Sequence, residues 1–301
     1  MRRRLRSVPL AGLVGMAAVA TALLAALACA PAALADTSQS SNWAGYAVHH
    51  SKVSFSEVLG SWTQPKATCA AGEATYSSVW VGIGGYNLTS QELEQIGSEA
   101  DCTASGVQRS SAWYELVPAP SRTIRIPVAA GNRLRASVSV SGHEVTLTLD
   151  NLTTHRSFHK VVRVSKLDVS SAEWIVEAPS ECTADNVCQT LPLADFGTTA
   201  FTGASVRTTT GLTGTIDNRH WSTTEIALTQ AGGRRFVENG TAGAVFATAT
   251  PSALTAGDSA FTVTYQGTSA TTAPASGPTP PASSQVTTSR LARPARLSST
   301  S

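Results

Sequence analysis

The sequence predicts an all-β protein, a two-sheet antiparallel β-sandwich formed by a single domain over residues 36–267. Three observations carry this. Apolar and polar residues alternate with period 2 almost throughout that segment. Glycine, asparagine and serine interrupt the alternation at short intervals, as turns require. No stretch shows a convincing amphipathic helical period. Many short strands in one domain-sized segment, without helices, bury their apolar faces by packing sheet on sheet.

The elements follow in order. Strand-like runs are "WAGYAV" (43–48), "VSFSEVLGSWTQ" (53–64), "YSSVWVGIG" (76–84) and "SAWYELVP" (111–118). The segment "RLRASVSVSGHEVTLTLDNL" reads as a hairpin. Leu134, Ala136, Val138 and Val140 share one face, and Val145, Leu147 and Leu149 repeat the pattern after a turn at Ser141-Gly142. Later runs are "SFHKVVRV" (157–164), "EWIVEA" (173–178), "TTAFTGASV" (198–206), "TEIALTQ" (224–230), "AVFATAT" (244–250) and "AFTVTY" (260–265). No internal repeat is visible.

Both ends lie outside the domain. Residues 1–35 carry four arginines, a long apolar run and an Ala33-Leu34-Ala35 exit, the layout of a secretory signal peptide removed before Asp36. A secreted, extracellular protein is expected, free of the membrane once the signal is cut. Residues 268–301 are Ser, Thr, Pro and Ala without an aromatic residue. Such a tail cannot bury enough apolar area to offset its ordering entropy.

The two ends hold seven of the 22 Lys+Arg and no acid, so the formal charge of +2 becomes −5 for residues 36–267, with 15 cations against 20 acids. That balance argues against a nucleic-acid partner. Four cysteines remain after signal removal, an even number that suggests two disulfides in an exported protein. Cys182 and Cys188 are close enough for a local loop, which pairs Cys69 with Cys102. Neither CxxC spacing nor a neighbouring histidine supports a metal site. Three glycosylation sequons occur, at Asn87, Asn151 and Asn239.

Polar chemistry then falls to carboxylates, amides and tryptophans. No G-x-S-x-G occurs, and the six histidines, His49, His50, His143, His155, His159 and His220, suit solvated surface positions. In "SSAEWIVEAPS" the glutamates Glu173 and Glu177 point to one strand face with Ile175 between them. Trp113 and Glu115 also share a face. A core rejects an unpaired carboxylate, so these two are expected to line a concave, partly wet surface. Two other functions fit part of this pattern. A glycoside hydrolase would use paired glutamates, but four residues of strand span about 13 Å where retaining chemistry needs about 5 Å. A carbohydrate- or peptide-binding module would use the tryptophans as stacking platforms.

Seven ordered motifs give a sharper reading: "SNWAGY", "VWVGIGG", "LEQIGSEADC", "AWYELVP", "NLTT", "SAEWIVE" and "LADFGTTAFT". From about Ser41 to Thr202 the chain resembles the glutamic peptidases, the eqolisins. That resemblance implies a concanavalin A-like lectin/glucanase sandwich and a secreted acid endopeptidase that cleaves polypeptides as a monomer, without metal or cofactor. By position it places the catalytic pair on Gln95 and Glu177, and the substrate groove on Trp43, Trp80, Trp113 and Glu115. Glu177 would be the general base and acid, Gln95 the oxyanion stabiliser that also positions the water. Glu173 would support its strand or accept from nearby donors. The chain departs from the fungal pattern at Gly84, where an aspartate supports the glutamine, and at Glu94 beside Gln95.

Overall fold

The computed structural model describes residues 36–87, 89–182, 188–229 and 247–267. Residues 1–35 and 268–301 lie outside them, as do residues 244–246 of the run at 244–250 and Gln230 at the end of the run at 224–230. Among the described residues every regular element is a strand, as the alternation requires. The first nine are β1 (Asp36–Ser40), β2 (Trp43–His49), β3 (Phe55–Thr63), β4 (Ser78–Gly84), β5 (Leu93–Cys102), β6 (Gln108–Val117), β7 (Ala119–Ile124), β8 (Arg133–Ser141) and β9 (Glu144–Asn151). The others are β10 (Arg156–Arg163), β11 (Ser171–Glu177), β12 (Ser180–Cys182), β13 (Cys188–Thr190), β14 (Thr198–Thr208), β15 (Thr213–Gly214), β16 (Ser222–Leu228), β17 (Ala249–Pro251) and β18 (Phe261–Tyr265).

Hydrogen bonding runs through one continuous path, β10-β9-β8-β3-β14-β18-β17-β16-β2-β11-β4-β5-β6-β7. β1 adds in parallel to β16, β15 adds to β14, and β12 with β13 form a separate ribbon. The sandwich arises because this long sheet folds over on itself. One layer holds β9, β8, β3 and β14; the other holds β2, β11, β4 and β5. The two layers bury Val58, Trp62, Leu134, Val138, Leu147 and Phe201 against Tyr46, Val81, Ile83, Ile96, Trp174 and Val176. Each large apolar side chain so buried stabilises the fold by roughly 1.5–3 kcal/mol. Two indoles cross the interface to satisfy polar partners: Trp174 Nε1 donates to Leu59 O (2.8 Å) and Trp62 Nε1 to Ser98 Oγ (3.0 Å). They fix the alignment of the layers, because a buried indole N–H needs an acceptor.

Cys69 and Cys102 form the expected disulfide, closing a loop of 33 residues of separation. Replacing both by alanine is expected to lower unfolding stability by about 3–4 kcal/mol, read from the urea midpoint; an unchanged midpoint would show that the loop is held by its packing alone. Cys188 is disulfide-bonded and pairs in register with Cys182, whose side chain lies outside the described residues. Of the sequons, Asn151 is a structural side chain. It is buried, and its Nδ2 donates to Pro127 O and Asn132 Oδ1. Asn239 and Leu88 of the Asn87 sequon are outside the described residues.

Candidate active site

The face of β11, β4, β5 and β6 that points away from the inter-layer core carries three rows of side chains. Glu173, Gly82, Gln95 and Glu115 lie side by side in the first; Ile175, Trp80, Gly97 and Trp113 in the second; Glu177, Ser78, Glu99 and Ser111 in the third. Trp43 of β2 pairs with Glu177 and joins the same face. This face has its own apolar cluster, in which Trp43, Trp80, Leu93, Trp113, Ile175 and Ile226 pack together. Trp43, Trp80 and Trp113 therefore lie outside the inter-layer core, whereas Trp62, Trp174 and Trp221 belong to it. Trp43 and Trp80 meet edge to face at 5.0 Å between ring centroids.

Glu177 is 9 % exposed and held by three N–H donors. Trp80 Nε1 donates to Oε2 at 2.7 Å; Trp43 Nε1 and Asn42 Nδ2 donate to Oε1 at 3.1 and 3.2 Å. Asn42 is fixed in turn: Ser40 Oγ donates to its Oδ1 and accepts from its backbone N–H. The carboxylate is thus oriented by a chain that starts one strand away. Gly97 lets β5 lie close to the strand that bears Trp80, since a Cβ there would run into Val79 O and stand 2.5 Å from Trp80 Cβ.

Gln95 is 5 % exposed. Its Nε2 donates to Glu115 Oε2 at 2.8 Å, while its Oε1 is buried without a hydrogen-bond partner. Gln95 and Glu177 face the same side of the sheet, two strands and four residues apart in register, so on a flat lattice their Cα atoms are roughly 16 Å apart. Their side chains must converge over Trp80 and Gly97 to act on one molecule. Among the described residues no hydrogen bond joins them directly.

At the Gly84 end of these strands carboxyls cluster from both faces, Glu173 from the site face and Glu94 from the opposite one. Gly84 has a positive φ, and a Cβ there would meet Asp168 O at 2.5 Å and Asp168 Cβ at 3.0 Å. Asp168, from the loop before β11, thus stands against the position where the sequence resemblance leads to the expectation of an aspartate. Burial raises its carboxyl, but donors outweigh this and hold it below the usual range: Ser170 Oγ at 2.6 Å, Ser170 N at 2.9 Å and Gly85 N at 3.1 Å. Burial, with the charges of Asp168 and Glu92, pushes Glu94 up to about 8. Burial, with Asp168 and Glu94, also pushes Glu173 well above the usual range. Glu173 is fully buried, with neither oxygen in a hydrogen bond of ordinary geometry; the Ser171 hydroxyl beside it acts against the upward shift without overcoming it. A residue so enclosed cannot serve as the second carboxyl of a glycosidase.

All six site residues expected from the sequence, Gln95, Glu177, Trp43, Trp80, Trp113 and Glu115, lie on this one face. Sequence reasoning does not single out Asn42 or Asp168. It also places His49 in solvent, whereas the ring is half-buried, stacked on Tyr86 at 4.3 Å and within 2.9 Å of Thr224 Oγ1.

Residues 41–232 match the family model described as the Peptidase A4 family. Among solved structures, the chain is similar to scytalido-glutamic peptidase in complex with a peptide-based transition state analogue. The identity is 23 %, over 75 % of this chain and 98 % of that one, with a TM-score of 0.55. It is likewise similar to SCP-B, a member of the eqolisin family of peptidases, in complex with the tripeptide Ala-Ile-His (22 % identity, 75 % and 98 % covered, TM-score 0.53). These likenesses show the sandwich fold. Comparison with curated protein sequences returns no match.

Proposed function

The chain belongs to the Peptidase A4 family and is a glutamic-type endopeptidase, and from that premise we propose that Glu177 and Gln95 are its catalytic pair. The observation that carries this is the contrast between two nearly buried groups on one face. Glu177 is a carboxylate surrounded by donors, whereas Gln95 is an amide with an idle acceptor and a spare donor.

A water between them donates one hydrogen to Gln95 Oε1 and the other to Glu177. Glu177 takes that proton as the water oxygen attacks the peptide carbonyl carbon. One of the two Nε2 hydrogens is spent on Glu115, which sets the amide plane; the second is directed at the developing oxyanion. Glu177 then returns the proton to the leaving amine, the C–N bond breaks, and the carboxylate is restored. No acyl-enzyme forms. Glu115 and the edge of Trp113 border the surface on which the substrate chain lies; Trp43 and Trp80, expected from the sequence to line that groove, are almost wholly buried and instead hold Glu177 beneath it. The enzyme acts outside the cell after loss of residues 1–35, and it works in acid, where its clustered carboxyls on β5 and β11 stay protonated.

Gln95→Ala tests the amide. Turnover on casein is expected to fall by roughly 10²–10³-fold with the thermal midpoint little changed. Near-normal turnover in that variant would remove Gln95 from the mechanism.

A further inference from the structure

The net charge of −5 hides an uneven distribution. Residues 118–167, which contain β7 to β10, hold eight Lys and Arg against two acids, a net of +6; the remainder of 36–267 is therefore −11. All eight cations are exposed, and none makes an ion pair among the described residues. A basic sector exists after all.

This sector surrounds the two open ends of the folded sheet. Among the described residues β7 pairs only with β6, and β10 only with β9, so each presents an unpaired edge. The ends approach without joining: Phe158 of β10 stacks on Tyr114 of β6 at 5.7 Å. Between them lies a cavity of about 350 Å³, lined by Tyr114, Leu116, Pro120, Arg122, Lys160 and Val162. Tyr114 and Leu116 alternate with Trp113 and Glu115, so the cavity is on the opposite side of β6 from the candidate active site. Cations on an edge strand commonly serve to discourage self-pairing, and outward-pointing ones would suffice for that. Here Arg122 and Lys160, from different ends of the sheet, converge on an apolar floor instead.

We propose that the gap between β7 and β10 binds an extended acidic polypeptide segment as an added strand, at a site separate from the catalytic face. The unpaired edges supply backbone donors and acceptors, the apolar floor takes alternate side chains, and the cations take the acidic ones. The paired need for backbone hydrogen bonds and apolar contact favours a polypeptide over an acidic polysaccharide. The inference does not depend on the assignment of Gln95 and Glu177.

The test is fluorescence anisotropy with a labelled decapeptide of alternating Glu and Val at pH 6 and low salt, its integrity checked by mass spectrometry. Saturable binding is expected, weakened by salt and weakened about tenfold or more by Arg122→Glu with Lys160→Glu. Arg122→Gln with Lys160→Gln serves if the charge reversal disturbs folding. Backbone amides of β7 or β10 should gain hydrogen-exchange protection when the peptide binds. Absence of binding, unchanged binding in both double variants, or equal displacement of the peptide by polygalacturonate would each overturn the proposal. Loss of casein hydrolysis in the wild type would count against the peptidase reading alone and leave these binding measurements intact.

Discussion

Replacing Glu177 by glutamine is expected to lower peptide hydrolysis by roughly 10²–10⁴-fold while the sandwich remains folded. The amide cannot take a proton from water, so the chemical step loses the base proposed for it. The geometry adds a second consequence. Asn42, Trp43 and Trp80 present only N–H groups to this side chain, which suits two carboxylate oxygens and no amide nitrogen. Whichever way the introduced amide turns, its NH₂ faces at least one of those donors. A stability loss of about 1–3 kcal/mol should accompany the change. The two effects separate by measuring turnover at a temperature where circular dichroism shows both proteins fully folded. Substantial hydrolysis by the folded variant would exclude Glu177 as the base. Asn42→Ala is the natural companion, because it removes one donor and leaves the base.

The same details show what can be read in the sequence. The hairpin β8–β9 is legible because one face packs in the core and the other meets solvent, which leaves a clean alternation in "RLRASVSV" and "EVTLTL". β5 is not. In "LEQIGSEADC" the site face carries Leu93, Gln95, Gly97 and Glu99, while the face toward the other layer carries Glu94, Ile96, Ser98 and Ala100. Both faces are largely buried and both are partly polar, so no period-2 contrast survives. The strand that bears the candidate glutamine is the one whose pattern the site erases.

For the site, the tryptophans and acids can be named from ordered motifs, but their partners cannot. Asn42 lies inside "SNWAGY", and nothing local says that its amide reaches Glu177, 135 residues away. Its one local signal is Ser40, whose hydroxyl accepts from the backbone N–H of Asn42 and of Trp43. Asp168 comes from a loop without strand character and meets Gly84 only in the folded chain. The basic sector escapes notice for an arithmetic reason: a single net charge averages over a sheet whose ends and middle differ in sign.

The largest expected effect on stability comes from pH. Glu94 titrates near 8 and Asp101, raised by burial and by Glu99, near 7; Glu173 lies well above the carboxylate range. In the unfolded chain these groups release protons near pH 4. Between pH 4.5 and 8 the native state therefore holds more protons than the unfolded state, and unfolding free energy falls as pH rises. Asp168 works in the opposite sense: its folded value is depressed, so its contribution is present above pH 3.8 and lost as pH falls through that lower value. The two trends place greatest stability in the acid range. The charged groups that act on Glu94 and Glu173 are Asp168 and Glu92 together with each other, all acidic, so no cation relieves the repulsion. Glu94→Gln keeps the shape and removes one titration. It is expected to leave stability at pH 4 nearly unchanged and to raise it at pH 8 by a few kcal/mol, with a flatter slope between. Thermal midpoints from pH 4 to 9 for both proteins decide the matter. A wild-type midpoint that rises from pH 5 to 8, or a variant that follows the wild-type curve throughout, would mean that these carboxyls ionise in the folded protein without cost. The proposed preference for acid would then need a cause at Glu177 itself.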